Sequence, residues 1–288
     1  MHEAVQQRPP VVLRRLLLLL FWSLLAFYLV AGTVISMNQR WFIYAPPTYS
    51  AWSMDRMAAE ARLERWTNSA GQPIGMKRQS ASSAQGSVLI LYGNGSCAVN
   101  SAHYADEIQA LGAFDVFILE YPGYADRAGS PSEKNIFHAA NEALPLLDTN
   151  RPVYLVGESL GSGVAAYLAG TQPDRVAGLM LLSPYNRMTS VAQAHMPVLP
   201  VWLILMDRFP SQDYLRNYHG PVGIMLDGRD KVVPEKFGQR LYDNYSGPKQ
   251  LWRFADGNHI TILEPPEKFW GEVLHFWQTG LPLAAKYN

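Results

Sequence analysis

The chain of 288 residues contains one cysteine, Cys97. A lone thiol excludes an intrachain disulfide and every zinc module built on cysteine pairs, although it does not fix the redox compartment. Excess charge of one sign is also missing, since 24 Lys and Arg stand against 24 Asp and Glu. Holding nucleic acid takes a basic surface that displaces counterions, so nucleic acid is not expected as a partner. There is no H-E-x-x-H, and neither G-x-x-x-x-G-K nor G-x-G-x-x-G follows the first apolar strand, so no metal and no cofactor is expected. Repeats and low-complexity tracts are absent as well. What is present is 48% apolar and 12% aromatic residues, which excludes general disorder. Beyond an N-terminal segment, about 245 residues remain, enough for one large domain with a full core.

That N-terminal segment is a run of 22 residues without charge, 16–37. As a helix it rises about 33 Å, enough for a hydrocarbon core of ~30 Å. Arg8, Arg14 and Arg15 precede it, and only Arg40 follows closely. The bias of positive charge predicts a cytoplasmic basic tail over 1–15, a single transmembrane helix over 16–37 and a domain over 38–288 on the extracytoplasmic side. Trp41, Phe42 and Tyr44 stand where an interfacial belt would be. A cleaved signal peptide is the alternative, but its apolar region is usually shorter, and no clear A-x-A site follows.

Residues 38–86 are mixed in pattern. Helical composition runs over 51–67, and Pro46-Pro47 stops any helix continuing from the anchor. From there on, apolar β-branched runs at 87–92, 115–120, 153–156, 176–182, 222–226 and 250–254 alternate with helical patterns. The helices are expected at 101–111, 133–147, 160–170, 235–245 and 267–278. Near-continuous apolar strands alternating with helices predict an α/β fold with a mostly parallel sheet covered on both faces. The interval between the strands at 176–182 and 222–226 breaks the alternation. Its apolar stretch 195–206 must be buried or meet a ligand or lipid.

The strand at 153–156 leads into Gly157-Glu158-Ser159-Leu160-Gly161, and a helix rich in small residues leads out. Gly-x-Ser-x-Gly is weak alone, but between a strand and a helix it builds a tight turn that lifts the serine out. Side chains at the two glycines would collide with the neighbouring strand and helix. Ser159 is therefore the candidate nucleophile. A serine that merely packs in a glycine-rich turn is the plainer reading. Acyl chemistry also needs two N–H donors for the oxyanion. One is the N–H of Leu160, after the nucleophile. The other is placed at Asn94, in Tyr92-Gly93-Asn94-Gly95 after the strand at 87–92, although Gly-Asn-Gly is also an ordinary turn sequence.

A serine hydroxyl needs a base, and the base needs a carboxylate to orient it. In this architecture acid and base follow the serine in that order. The last strand is followed by Ala255-Asp256-Gly257-Asn258-His259, which makes His259 the candidate base. Among the other histidines, His275 lies beside Phe276 and Trp277 and reads as a packed residue. The strand at 222–226 is followed by Asp227-Gly228-Arg229-Asp230. Asp230, three residues out, can reach His259. Asp227 closes the strand and is the alternative acid, while Asp256 stands too near His259 to orient it.

With these motifs in place, the chain resembles α/β-hydrolases of the serine aminopeptidase-like group, and among them the single-pass, membrane-anchored branch. The resemblance covers roughly 38–280. It is carried by the segment from Gln39 to Pro47, by Glu120-Tyr121-Pro122-Gly123-Tyr124 with Gly129-Ser130-Pro131-Ser132-Glu133, and by the three catalytic loops. It implies Ser159, Asp230 and His259 as the triad, and a substrate-selecting cap over 184–219 between strands six and seven. The family usually has His-Gly where this chain has Tyr92-Gly93, so Tyr92 is expected to alter donor geometry or the acyl pocket. The activity implied is hydrolysis of carboxylic esters, thioesters or amides through an acyl-enzyme, on a small-molecule or lipid-like acyl substrate. Acyl transfer with the same residues, or a silent interaction protein on the same fold, are the competing readings.

Overall fold

The computed structural model describes residues 11–260 and 265–283, so Arg8 and the first ten residues of the expected basic tail lie outside the described residues. The chain opens with one long helix, α1 (Val11–Ile43), which contains the whole of the 16–37 run and continues past its expected end. α1 is long and apolar enough to cross a membrane. Pro46-Pro47 follows its last turn, and the chain leaves the helix there, as the missing proline N–H requires.

The expected helix over 51–67 is corrected by the structure. α2 (Ala51–Glu60) is capped by Ser50, whose Oγ accepts the Ser53 N–H at 3.1 Å. It stops before Arg62, which adopts a left-handed φ of 56°. The next residues form β1 (Glu64–Thr67), which pairs antiparallel with β2 (Pro73–Arg78). Burial against a neighbouring strand overrides helix propensity here, because Trp66 packs against Phe117 with ring centroids 4.9 Å apart.

The remaining strands are β3 (Gly86–Leu91), β4 (Phe114–Leu119), β5 (Val153–Glu158), β6 (Gly178–Leu182), β7 (Val222–Asp227) and β8 (Lys249–Phe254). They form one sheet in the order β1-β2-β4-β3-β5-β6-β7-β8. β2 is antiparallel to β4, and all pairs from β4 to β8 are parallel. Every residue of β3, β6 and β7 is buried, which is why these strands read as unbroken apolar runs. α3 (Ala102–Leu111), α4 (Glu133–Ala143), α5 (Leu160–Thr171), α9 (Glu235–Asn244) and α10 (Phe269–Thr279) cross between or follow the strands. α4 ends earlier than the composition of 133–147 predicts, because Pro145 tightens its last turn into a 3₁₀ turn, Leu144–Leu146.

Two features of this topology place the site. The chain moves from β3 to β4 on one side and then returns to β5 on the other, so the crevice above β3 and β5 is a topological switch point. The cap insertion between β6 and β7 folds into three short helices, α6 (Met188–His195), α7 (Val201–Ile204) and α8 (Ser211–Tyr214). Its return is pinned by the Glu133 carboxylate, which accepts the N–H groups of Arg208 at 2.6 Å and Phe209 at 3.1 Å.

Candidate active site

At the end of β5 the backbone turns so sharply that Ser159 takes φ 47° and ψ −112°, a conformation costly for any residue with a Cβ. The Ser159 N–H donates to Leu182 O at 2.9 Å, and Ser162 Oγ donates to Ser159 O at 2.6 Å, which together hold the turn. Both glycines of the motif are sterically required. A Cβ on Gly157 would stand 2.8 Å from Ala165 Cβ and from Ser162 Cα on α5, and a Cβ on Gly161 would overlap Leu91 O on β3. The first glycine admits the helix to its own strand, and the second admits it to the adjacent one.

Leu91 is the register partner of Gly157, so the loop after β3 emerges beside the turn. A Cβ on Gly93 would lie 3.4 Å from Ser159 Cβ. The Asn94 side chain is committed elsewhere: its Oδ1 accepts the Ala45 N–H at 2.8 Å and the Tyr124 hydroxyl at 2.7 Å. Its backbone N–H takes no partner among the described residues. Leu160 opens α5, so its N–H has no acceptor within the helix. Asn94, Ser159 and Leu160 line one cavity of about 380 Å³.

Asp227 and Phe254 are register partners on β7 and β8, so the loops that follow run side by side. Asp230 Oδ2 accepts from His259 Nδ1 at 2.7 Å, while its Oδ1 accepts the N–H groups of Val232 and Val233, both at 2.8 Å. The alternative acid is engaged differently. Asp227 Oδ2 accepts the Ser183 hydroxyl at 3.1 Å, its Oδ1 is buried without a partner, and burial raises its pKa to about 6. Asp256 faces Arg229 in an exposed ion pair. The structure therefore joins Asp230 to His259 and gathers Ser159, Asn94 and Leu160. It does not form a hydrogen bond between Ser159 Oγ and His259. Such contacts commonly tighten only with substrate in place. His259 is close enough to Glu158, the neighbour of Ser159, for its charge to favour that carboxylate.

Several residues were not legible as part of the site. Burial raises the Glu158 pKa. A hydrogen bond from Tyr104 Oη at 2.8 Å, the His259 charge and the Gly93 N–H act the other way. His195 lines the cavity, and its Nε2 lies 2.9 Å from Val232 O beside the acid loop. His275 is exposed on α10 rather than packed, because the buried face there is taken by Phe276 and Trp277.

Tyr92 also departs from expectation. It lies outside the cavity lining and packs against Tyr121 in a tilted pair with centroids 4.4 Å apart, its hydroxyl bonded to the buried Glu120. Tyr92 thus braces the strand end from behind. Burial first, against the Tyr92 and Ala98 donors, pushes the Glu120 pKa up to about 7 from 4.5. A carboxyl raised by folding lends stability fully below its ordinary pKa and loses it as pH climbs through about 7. Glu120→Gln, which cannot ionise, is expected to gain Tm relative to the parent as the buffer is taken from about pH 5 to about pH 8. Melting curves across that range check it, and a constant difference would contradict it.

Comparison with known proteins gives a consistent fold. Residues 86–214 match the family model described as the alpha/beta hydrolase fold. An uncharacterized protein of Mycobacterium tuberculosis is 34% identical over 169 residues, 57% of this chain and 59% of that protein. The lysophosphatidylserine lipase ABHD12 of Mus musculus is 26% identical over 213 residues, 65% of this chain and 52% of the lipase. This chain therefore spans only part of the length of the relatives it matches. Among solved structures, the esterase Pf2001 of Pyrococcus furiosus superposes with a TM-score of 0.60 at 15% identity, covering 82% of this chain and 96% of the esterase. A monoacylglycerol lipase from Paleococcus ferrophilus gives 0.54 at 17% identity, covering 76% and 99%.

Proposed function

Taking as premise that this chain is an α/β-hydrolase with an apolar N-terminal helix, we propose that it is a membrane-held serine hydrolase acting on carboxylic esters of lipid-like acyl groups. α1 crosses the bilayer, with Arg14 and Arg15 on the cytoplasmic side and the hydrolase unit on the other. Support for a monoacyl lipid comes from the cavity, whose walls are mainly aliphatic, and from relatives named as lysophospholipid and monoacylglycerol lipases.

The reaction runs in two halves. Ser159 Oγ attacks the carbonyl carbon while its proton passes to His259 Nε2, and the N–H groups of Asn94 and Leu160 hold the oxyanion. As the tetrahedral species collapses, the bond to the alcohol oxygen breaks and that oxygen takes the proton from Nε2. Water then gives a proton to Nε2, attacks the acyl-serine and releases the carboxylic acid, and the proton returns to Ser159 Oγ. Asp230 orients the ring throughout and stabilises the imidazolium.

The observation that carries this reading is the strained Ser159 at the floor of an apolar cavity, with the Asp230–His259 pair on the adjoining loops. A fluorophosphonate reagent incubated with the full chain in detergent is expected to leave one adduct, on Ser159, by peptide mass. The Ser159→Ala chain is expected to remain unlabelled. Labelling that survives the substitution would refute the assignment.

A further inference from the structure

Helix α1 is built into the cavity above Ser159. Ile35, Phe42 and Ile43 on its last turns face Val191, Met196 and Ile204 on the cap insertion, and all six line the same space as Ser159. Polar ties fix this wall in place. Ser36 Oγ donates to Ile204 O at 3.0 Å, and Gln39 Oε1 accepts the Met206 N–H at 2.6 Å. The buried Asp207 accepts from Arg40 Nε at 3.3 Å and from the Tyr44 hydroxyl at 3.0 Å. The next residue, Ala45, donates its N–H to Asn94 Oδ1, so the end of the helix is also tied to the loop that carries the proposed oxyanion donor.

A second cavity, of about 250 Å³, adjoins this one along α1 toward its N-terminal end. Its lining includes Tyr28, Gly32 and Thr33 on the helix with Leu199 and Pro200 opposite, and Ser36 and Ile204 line both cavities. At the far end the Tyr28 hydroxyl donates to Val198 O at 2.9 Å. From Tyr28 to Ser36 the helix rises about 12 Å, all of it within the apolar run. The cap therefore reaches alongside the part of α1 that lies in lipid. Its outward residues agree with that position, since Val198, Trp202, Leu203 and Met206 are all exposed and apolar.

We infer that the groove between α1 and the cap insertion is the path of the acyl chain, taking a single-chain lipid ester from the surrounding leaflet to Ser159 without passage through water. The selected substrate class is monoacyl lipids with long chains. Each methylene that would otherwise be bared to water in transit adds to the barrier, so a continuous apolar path favours long chains most. Gly32 lines the second cavity, and a Cβ added there meets nothing within 4 Å, so a side chain at this position has open space to enter.

This inference rests on the assignment of Ser159, and one experiment separates the two. The full-length chain, Gly32→Phe and Gly32→Ala are reconstituted in phosphatidylcholine vesicles. Each is assayed with monopalmitoylglycerol carried in the vesicles and with water-soluble para-nitrophenyl butyrate. Gly32→Phe is expected to lower turnover of the long-chain ester about tenfold or more while leaving the butyrate within about twofold, and Gly32→Ala to leave both near the parent. A parent active on both esters, with Gly32→Phe sparing the long-chain ester or lowering both alike, overturns the path alone. A parent inert to both esters overturns the reading of Ser159 and the path with it.

Discussion

Replacing Asp230 with asparagine is expected to lower kcat/KM for a short soluble ester by about 10⁴-fold, the effect of holding a catalytic imidazole in the wrong tautomer. The argument lies in the acceptor count. Both oxygens of the Asp230 carboxylate accept hydrogen bonds: Oδ1 takes two backbone N–H groups, from Val232 and Val233, and Oδ2 takes His259 Nδ1. An amide offers one oxygen. Turning its NH₂ toward the backbone would orphan two buried donors, so the oxygen stays there and the NH₂ faces Nδ1. The ring must then carry its proton on Nε2, where the base needs a lone pair. Such a loss corresponds to about 5.5 kcal/mol of transition-state stabilisation. Asp227→Asn is expected to change the rate by less than about tenfold, since Asp227 accepts from Ser183 and not from the histidine. Steady-state kinetics of the two variants, with Tm measured on each, decide the assignment. A large loss for Asp227→Asn beside a small one for Asp230→Asn would exchange their roles.

The two acids show what a sequence can resolve. Strand, turn residue and acidic side chain are adjacent in the chain, so the loop that carries both candidate acids is legible. The choice between Asp227 and Asp230 depends on which carboxylate the β7–β8 register turns toward His259, and the sequence narrows it only by reach. Ser159 and its glycines are legible for a related reason. The two collisions that demand glycine lie against β5's own helix and the adjacent strand, and both follow from a strand-turn-helix pattern.

What was not legible depends on contacts between distant segments. Nothing in the period of residues 64–78 announces a hairpin, because β1 lies at the sheet edge and β2 carries Gly75, whose absent side chain lets β4 approach. The apolar stretch of the cap reads equally as a lipid-facing or a buried segment, and the structure divides it between an exposed and a buried face. Val201 and Leu205 are buried while Trp202 and Leu203 are exposed. The N-terminal helix reads as a tether because hydropathy reports only that a helix prefers lipid. Its role as a cavity wall is written in Ser36, Gln39 and Arg40, three polar residues at the end of an apolar run whose partners lie more than 160 positions away. Tyr92 likewise takes its place from contacts with a distant segment. Its ring direction is set by Glu120 and Tyr121 on the neighbouring strand's loop, which no local pattern encodes.

The second large effect concerns the fold beneath the site. Gly161→Ala is expected to destabilise the chain by about 3 kcal/mol or more, a Tm loss of about 6 °C or more for a domain of this size. The added methyl overlaps Leu91 O, a backbone atom of a strand buried throughout, so relief requires moving β3 or lifting α5 from the sheet. Lifting α5 displaces Leu160, and moving β3 displaces the loop that carries Asn94. Either route separates the two N–H donors proposed for the oxyanion, so the folded fraction is also expected to lose turnover of a soluble ester by about 10²-fold. Gly271→Ala is the matched control. That glycine lies on α10, where an added Cβ meets nothing within 4 Å, and alanine there is expected to raise stability by about 0.5–1 kcal/mol through helix propensity. Thermal melts and active-site titration with a fluorophosphonate separate the two losses. Gly161→Ala melting with the parent would mean that β3 and α5 are not pressed together as the structure has them. A loss of Tm without a change in turnover per labelled site would mean that the donors do not ride on these two elements.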